Sequence, residues 1–173
     1  MKGRNHDLRR AARRRERGFS LLELALGVVI FGLVVGIVLT AAQRLTQRTR
    51  CDRLATDLRT FAAAFQAYHQ RQSAWPSATS GDNAVPRGME NLLRDTPWAA
   101  GPPVGGGYVW GSPVAGTTPS AIGLTAFTGS PPLELSRADL LYLDRQMDDG
   151  NLATGRFRTG FNGWPLYFLP EQR

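Results

Sequence analysis

Polar and apolar positions divide the chain into three regimes. The first eighteen residues are polar and charged; Phe19 to Ala42 then runs 24 residues whose only charge is Glu23. At ~1.5 Å per residue that stretch spans ~36 Å as a helix, against ~30 Å of bilayer hydrocarbon. Further on, Cys51, Leu54, Leu58, Phe61, Phe65 and Tyr68 recur at alternating steps of three and four, with Asp52, Arg53, Asp57, Arg59, Gln66 and Gln70 on other faces. Such spacing predicts an amphipathic helix with one apolar stripe. No proline interrupts Phe19 to Trp75, so a single helix from about Ser20 to Gln72 is predicted, roughly 80 Å long. Trp75-Pro76 is expected to end it, because proline cannot donate to a helix and disfavours helical angles in the residue before it. The stripe suits packing on a head domain better than a coiled coil, for which only about three heptads are available.

Glycine and proline recur densely after Trp75. Pro76 to Pro86 reads as a loop, Arg87 to Arg94 as a short helix and Pro97 to Gly107 as another loop. Tyr108 to Trp110 and Ile122 to Phe127 read as strands, joined through Gly111 to Pro119. Ser136 with Asp139 forms a capping start for a helix to about Met147, with Leu140, Leu141 and Leu143 on its apolar side. Two last strands are predicted near Arg156 to Arg158 and Leu166 to Leu169. The predicted fold class is α+β: a long N-terminal helix, membrane-spanning in its first half, against a small antiparallel sheet.

Charge sharpens this picture. Residues 1 to 18 hold eight basic side chains and two acids, +6 of the chain's formal +7. The remaining 155 residues are nearly neutral, so the basic character belongs to a leader rather than to a folded surface. That argues against nucleic acid as a partner, which calls for a basic face on the fold, and for a membrane, where arginines and lysines stay on the cytoplasmic side. Arg44, Arg48, Arg50 and Arg53 follow the apolar run closely, but the bias still favours an N-terminus inside. Cys51 is the sole cysteine; no intrachain disulfide is possible, and a small residue on a packed helix face accounts for it.

A basic start, an apolar core and small residues at Thr40, Ala41 and Ala42 fit a secretory signal peptide cleaved after Ala42, although the core is long for that class and nothing in it explains Glu23. RERGFSLLE, residues 15–23, resembles the leader junction of type IV pilins and type II secretion pseudopilins. It has a basic leader ending in glycine (Gly18), an aromatic first mature residue (Phe19) and glutamate at the fifth mature position (Glu23). The resemblance implies cleavage between Gly18 and Phe19 by a prepilin peptidase, N-methylation of Phe19, and pairing of Glu23 with the N-terminal amine of a neighbouring subunit in a filament. An unpaired carboxylate in a membrane helix costs ~2.5 to 3.5 kcal/mol, so such pairing gives the acid a reason to be there. A headgroup-level Glu23 reaching out to water is the plainer alternative.

The layout that follows from the resemblance is a removed leader (1–18), a transmembrane polymerisation helix (19–42), an amphipathic stalk (43–74) and a globular periplasmic head (75–173). The implied partners are the prepilin peptidase, other pseudopilins and an inner-membrane assembly platform. Type IV pilins commonly carry proline where this chain has Thr40, and often close their C-terminal region with a disulfide that Cys51 alone cannot form. The latter favours a pseudopilin over a type IV pilus subunit. A secreted or membrane-anchored binding domain behind a signal peptide is the alternative from another class.

Candidates for chemistry are few. In MDDGNLATG, the oxygens of Asp144, Asp148, Asp149 and Asn151 could meet a hard cation, and major pseudopilins bind calcium through a C-terminal loop. The spacing nevertheless lacks the EF-hand frame, and a solvated acidic helix end and turn is the better account of it. His6 falls in the leader and His69 on the stalk, with no cysteine or histidine cluster around either. GPPVGGGYVW leads into a strand rather than a helix N-terminus, so it offers no phosphate cradle. Four tryptophans read as core and loop packing. No catalytic residue, metal ligand or cofactor is expected.

Overall fold

The computed structural model describes residues 20–111, 120–127, 129–160 and 163–170. A first helix, α1, runs Leu21–Gln72, as the proline-free stretch predicts. The chain divides into two compact units between Gln43 and Arg44. In the first unit every described side chain is exposed. The second unit contains the remainder of α1 and the head.

The head adds α2 (Glu90–Leu93), β1 (Gly107–Gly111), β2 (Ala121–Thr125), α3 (Arg137–Met147), β3 (Phe157–Thr159) and β4 (Pro165–Phe168). Its four strands form one sheet in the order β1-β2-β4-β3, with every pairing antiparallel. Trp110 pairs with Ile122, Ile122 with Tyr167 and Tyr167 with Phe157. This row crosses all four strands, and each of its members is buried. Pro165 opens β4, a position where the missing N–H costs the ladder little.

Cys51, Leu54, Leu58, Phe61 and Phe65, the predicted stripe of α1, are buried in one core with the sheet's inner residues, and Tyr68 packs half-buried at its margin. Phe61 meets Trp98 and Tyr108 edge-on at 5.0 and 4.8 Å between ring centroids, while Phe65 stacks on Trp110 at 4.0 Å. Edge-on and stacked pairs of this kind add about 0.5–1.5 kcal/mol each to the burial of their area. Asp57 departs from the pattern. Instead of facing solvent it is 8 % exposed, because the Tyr108 hydroxyl reaches over the stripe and donates to its Oδ2 at 3.4 Å. Burial raises its pKa, with Arg53 and the Tyr108 hydroxyl opposing.

Helix α1 stops at Gln72, before Trp75-Pro76, where Ser73 adopts a left-handed φ of 52°. The Trp-Pro pair acts instead as an anchor in the core. Trp75 stacks on His69 at 4.3 Å, and the Pro76 carbonyl accepts from Trp110 Nε1 at 2.9 Å. The short helix is also briefer than predicted, four residues in place of Arg87 to Arg94. Gly88 before it holds φ 86° against the Tyr68 ring, and Met89 supplies no side-chain cap.

The loop Pro76 to Pro86 covers an edge of the sheet. Thr79 N donates to the Trp110 carbonyl and Asn83 N to the Tyr108 carbonyl, both at 2.8 Å, while the Asn83 and Thr79 side chains accept from the amides of the same two β1 residues. Strand β2 ends at Thr125 rather than Phe127 because Asp82 gathers the chain there: its carboxylate accepts from the Thr125 hydroxyl at 2.5 Å, the Ser130 hydroxyl and the Phe127 amide. The expected connection from Gly111 to Pro119 lies, past Gly111, outside the described residues.

Helix α3 begins with the predicted capping box, Ser136 and Asp139 each binding the other's backbone amide. Leu143 is buried, with Leu140 and Leu141 half-buried. A polar seam joins α3 to α1: Tyr142 Oη and Gln146 Nε2 donate to Asp52 at 2.8 and 2.7 Å, and Arg59 donates to the Gln146 carbonyl at 2.6 Å.

Candidate functional site

The start of α1 is held by Ser20, whose hydroxyl accepts from Leu22 N at 3.3 Å and whose carbonyl accepts from Leu24 N at 3.0 Å. Glu23 therefore lies in the first turn of the helix, where orphan N–H groups and the positive end of the helix dipole favour a carboxylate. It is exposed among exposed apolar neighbours: Leu21 at 86 %, Leu22 at 78 %, and onward through Phe31 and Ile37, each at 70 %. Gly18 and Phe19, the expected cleavage junction, lie outside the described residues.

The body of this segment is uniformly apolar on its surface. Thr40 hides its hydroxyl against the Gly36 and Ile37 carbonyls, both at 2.9 Å, the back-bonding that lets threonine sit in an apolar helix. Gly27, Gly32 and Gly36 have open space where a Cβ would project. Leaving so many aliphatic groups in water is opposed by about 25 cal/mol per Å², so this surface calls for lipid or for other helices. Among the described residues, α1 is the helix long and apolar enough to cross a membrane.

In the head, Asp144, Asp148 and Asp149 converge, with one carboxylate oxygen from each lying within 4.8 Å of the others. Asn151 Oδ1 accepts from Ala153 N at 3.2 Å. Asp149 is engaged locally with Asn151 N and the Thr154 hydroxyl, at 2.9 and 2.7 Å, and these bonds hold its pKa down. Asp148 accepts from the Arg156 and Phe157 amides, fastening the turn to β3. Asp144 is fully buried and neither of its oxygens has a hydrogen-bond partner. Burial, then Asp149 and Asp148, raise its pKa, while the nearby Gly150 amide opposes without reaching hydrogen-bond geometry. A proton or a hard cation would relieve this group, and these three carboxylates are the residues with the oxygen donors such an ion takes. No local pattern marks Asp144 as buried; its i, i+4 relation to Asp148 is the one signal that places the two on a shared face.

The other candidates resolve into packing. Burial, followed by the charges of Asp139 and Asp52, pushes the Cys51 thiol up to about 11, so it stays protonated and inert at neutral pH. His69 Nδ1 is buried without a partner, its ring face on Trp75. In GPPVGGGYVW, Gly105 and Gly106 hold φ 78° and 73°, and a Cβ on either would run into the Pro132 or Thr125 carbonyl. Close backbone approach explains that run.

Residues 13–39 match the model of the prokaryotic N-terminal methylation motif, which covers the basic approach, Gly18, Phe19, Glu23 and most of the apolar run. No curated protein and no solved structure matches the chain. With the motif at its N-terminus and a long helix leading to a four-stranded antiparallel sheet, the chain has a pilin-like layout, and the two together support a type IV pilin-like or pseudopilin protein.

Proposed function

We propose that the chain is a structural subunit of a type II secretion pseudopilus, not an enzyme. A prepilin peptidase cuts between Gly18 and Phe19 at the cytoplasmic face of the inner membrane, and Phe19 is then N-methylated. The helix from Phe19 to Ala42 anchors the subunit with its head in the periplasm and, on an assembly platform, packs against other pseudopilins. Glu23 pairs with the Phe19 amine of a neighbour, so that a carboxylate costly in the lone subunit rewards assembly in register. Growth of the short filament pushes folded substrates outward.

The observation that supports this reading most is Glu23 itself: a single exposed acid, five residues after the motif's glycine, at the head of an exposed and otherwise uncharged run. Mass and N-terminal sequence of the membrane-extracted chain test it, from cells with and without prepilin peptidase. N-methyl-Phe19 that depends on the peptidase is expected. A terminus at Gln43, or a leader still attached, would refute it and return the head to being a secreted or anchored module. A type IV pilus (minor) pilin is the second reading, since the motif supports both equally. Deletion that stops protein secretion and spares surface pili supports the pseudopilus; the opposite outcome supports the pilus.

A further inference from the structure

Between the first two turns of α3 and the segment that folds back after it lies a hollow of about 470 Å³, whose walls include Arg137, Leu140, Leu141, Asn151, Leu152 and Thr159. The returning segment is fixed by its own backbone: the Leu152 carbonyl accepts from Thr159 N at 3.0 Å and the Asn151 carbonyl from Thr154 N at 2.9 Å. Leu140, Leu141 and Leu152 are half-buried, so aliphatic surface remains open on the hollow. Arg137 is the charged member of the described lining. It is exposed and, among the described residues, its side chain has no hydrogen bond or ion pair. The acids next in the chain are turned to other work, Asp148 holding the Arg156 and Phe157 amides and Asp149 the Asn151 amide and the Thr154 hydroxyl. A free guanidinium set among aliphatic groups suits a carboxylate carried beside an apolar side chain.

The same head carries such a pair on another part of its surface. Asp95 is exposed and, among the described residues, has no hydrogen bond or ion pair. Every other acid at the described surface of the head and stalk accepts at least one hydrogen bond. Asp95 follows α2, whose helical turn Arg94 continues with φ −53° and ψ −49°, so it shares a face with half-buried Leu92 three residues before it. Arg94 does not compete for the carboxylate, because it donates to Asn91 Oδ1 at 2.5 Å.

We propose that the hollow receives the Leu92–Asp95 ridge of a second copy of this chain, with Arg137 pairing with Asp95. Leu92 enters among Leu140, Leu141 and Leu152, and the water it excludes there makes the ion pair stronger than one in open solvent. The two surfaces are different parts of one head, so the contact is heterologous: a copy whose hollow is filled still offers its own ridge to the next, and the association propagates instead of ending at a symmetric dimer. The proposal rests on the reading of this chain as a filament subunit, and names a contact between heads within it.

The test co-expresses two full-length copies in the native host, one with Ala153→Cys in the wall of the hollow and one with Arg94→Cys beside Asp95, distinguished by tags of different size. A short bismaleimide is applied to the membranes; Cys51 is buried and does not compete. A mixed cross-linked dimer is expected. Arg137→Glu in the first copy should lower its yield by about ten-fold or more, since like charges then meet at the contact, and adding Asp95→Arg to the second copy should restore most of it. An unchanged yield with Arg137→Glu, or no recovery in the charge-exchanged pair, overturns the proposal. A further pair carrying Ile30→Cys, on the exposed apolar part of α1, separates this contact from the filament reading. Cross-links at Ile30 without any between the heads mean that copies associate and that the hollow is not where their heads meet. Absence of both sinks the filament reading, and the proposal with it.

Discussion

Phe61 packs the stalk against two aromatic rings of the head, and its truncation tests whether the stripe of α1 is part of the head's core. The side chain is fully buried, with Trp98 and Tyr108 edge-on against it at 5.0 and 4.8 Å. Phe61→Ala removes the ring and leaves a cavity walled by two larger aromatics, each held by its own hydrogen bond: Trp98 Nε1 to the Ala84 carbonyl at 3.0 Å, and the Tyr108 hydroxyl to Asp57. Such tethered walls cannot collapse far, so the cost belongs toward the upper part of the 3–5 kcal/mol range for phenylalanine, about 4 kcal/mol. For a domain of this size each kcal/mol lowers Tm by roughly 4 °C, a drop of about 16 °C. Thermal unfolding of the full chain in micelles, followed by near-ultraviolet circular dichroism, reads the head's tryptophan packing directly. Phe61→Leu keeps most of the volume and should cost less than half as much. Exposed Thr60→Ala should change stability by under about 0.5 kcal/mol. A loss below about 1 kcal/mol for Phe61→Ala would refute the packing of this helix on the sheet.

Two further outcomes follow from the titratable groups. In chelator-containing buffer at pH 7, Asp144→Asn should raise Tm, because the folded chain otherwise holds a buried carboxylate with no partner and two like charges beside it. Its folded pKa lies above the ordinary 3.8, so its destabilisation is absent below that value and complete above the folded one; wild type should lose stability as pH rises through that window and the variant should not. A variant that melts lower than wild type, or with the same pH slope, would contradict this. Cys51 should resist thiol reagents in the folded chain at pH 7 and react fully in denaturant; prompt native reaction with an aromatic disulfide reagent would contradict its burial.

Long-range periodicity and strong local chemistry were legible without coordinates. The uncharged run after Glu23, the stripe from Cys51 to Phe65 and the Ser136–Asp139 cap each depend on residues within a few positions of one another, and each stands in the structure as its spacing predicts. Strand positions were right to within one or two residues, for the same reason. The motif around Gly18 and Glu23 was equally plain, since leader charge, glycine, aromatic residue and acid occur in fixed order along the chain.

What tertiary structure decided involves partners far apart in sequence. Asp57 reads as a solvent-facing position until Tyr108, 51 residues on, places a hydroxyl over it. Trp75-Pro76 reads as the helix terminator, but a left-handed Ser73 ends the helix and the pair is drawn into the core by His69 and Trp110. Asp82 is one acid in a loop until Thr125, Phe127 and Ser130 converge on it and stop β2 short. Asp144 repeats on a helix like any other aspartate, yet burial leaves it without a partner. Local spacing fixes which elements form, since capping and periodicity act within a turn or two. Desolvation and pairing depend on which elements come to lie against each other, and no window of the sequence contains that information.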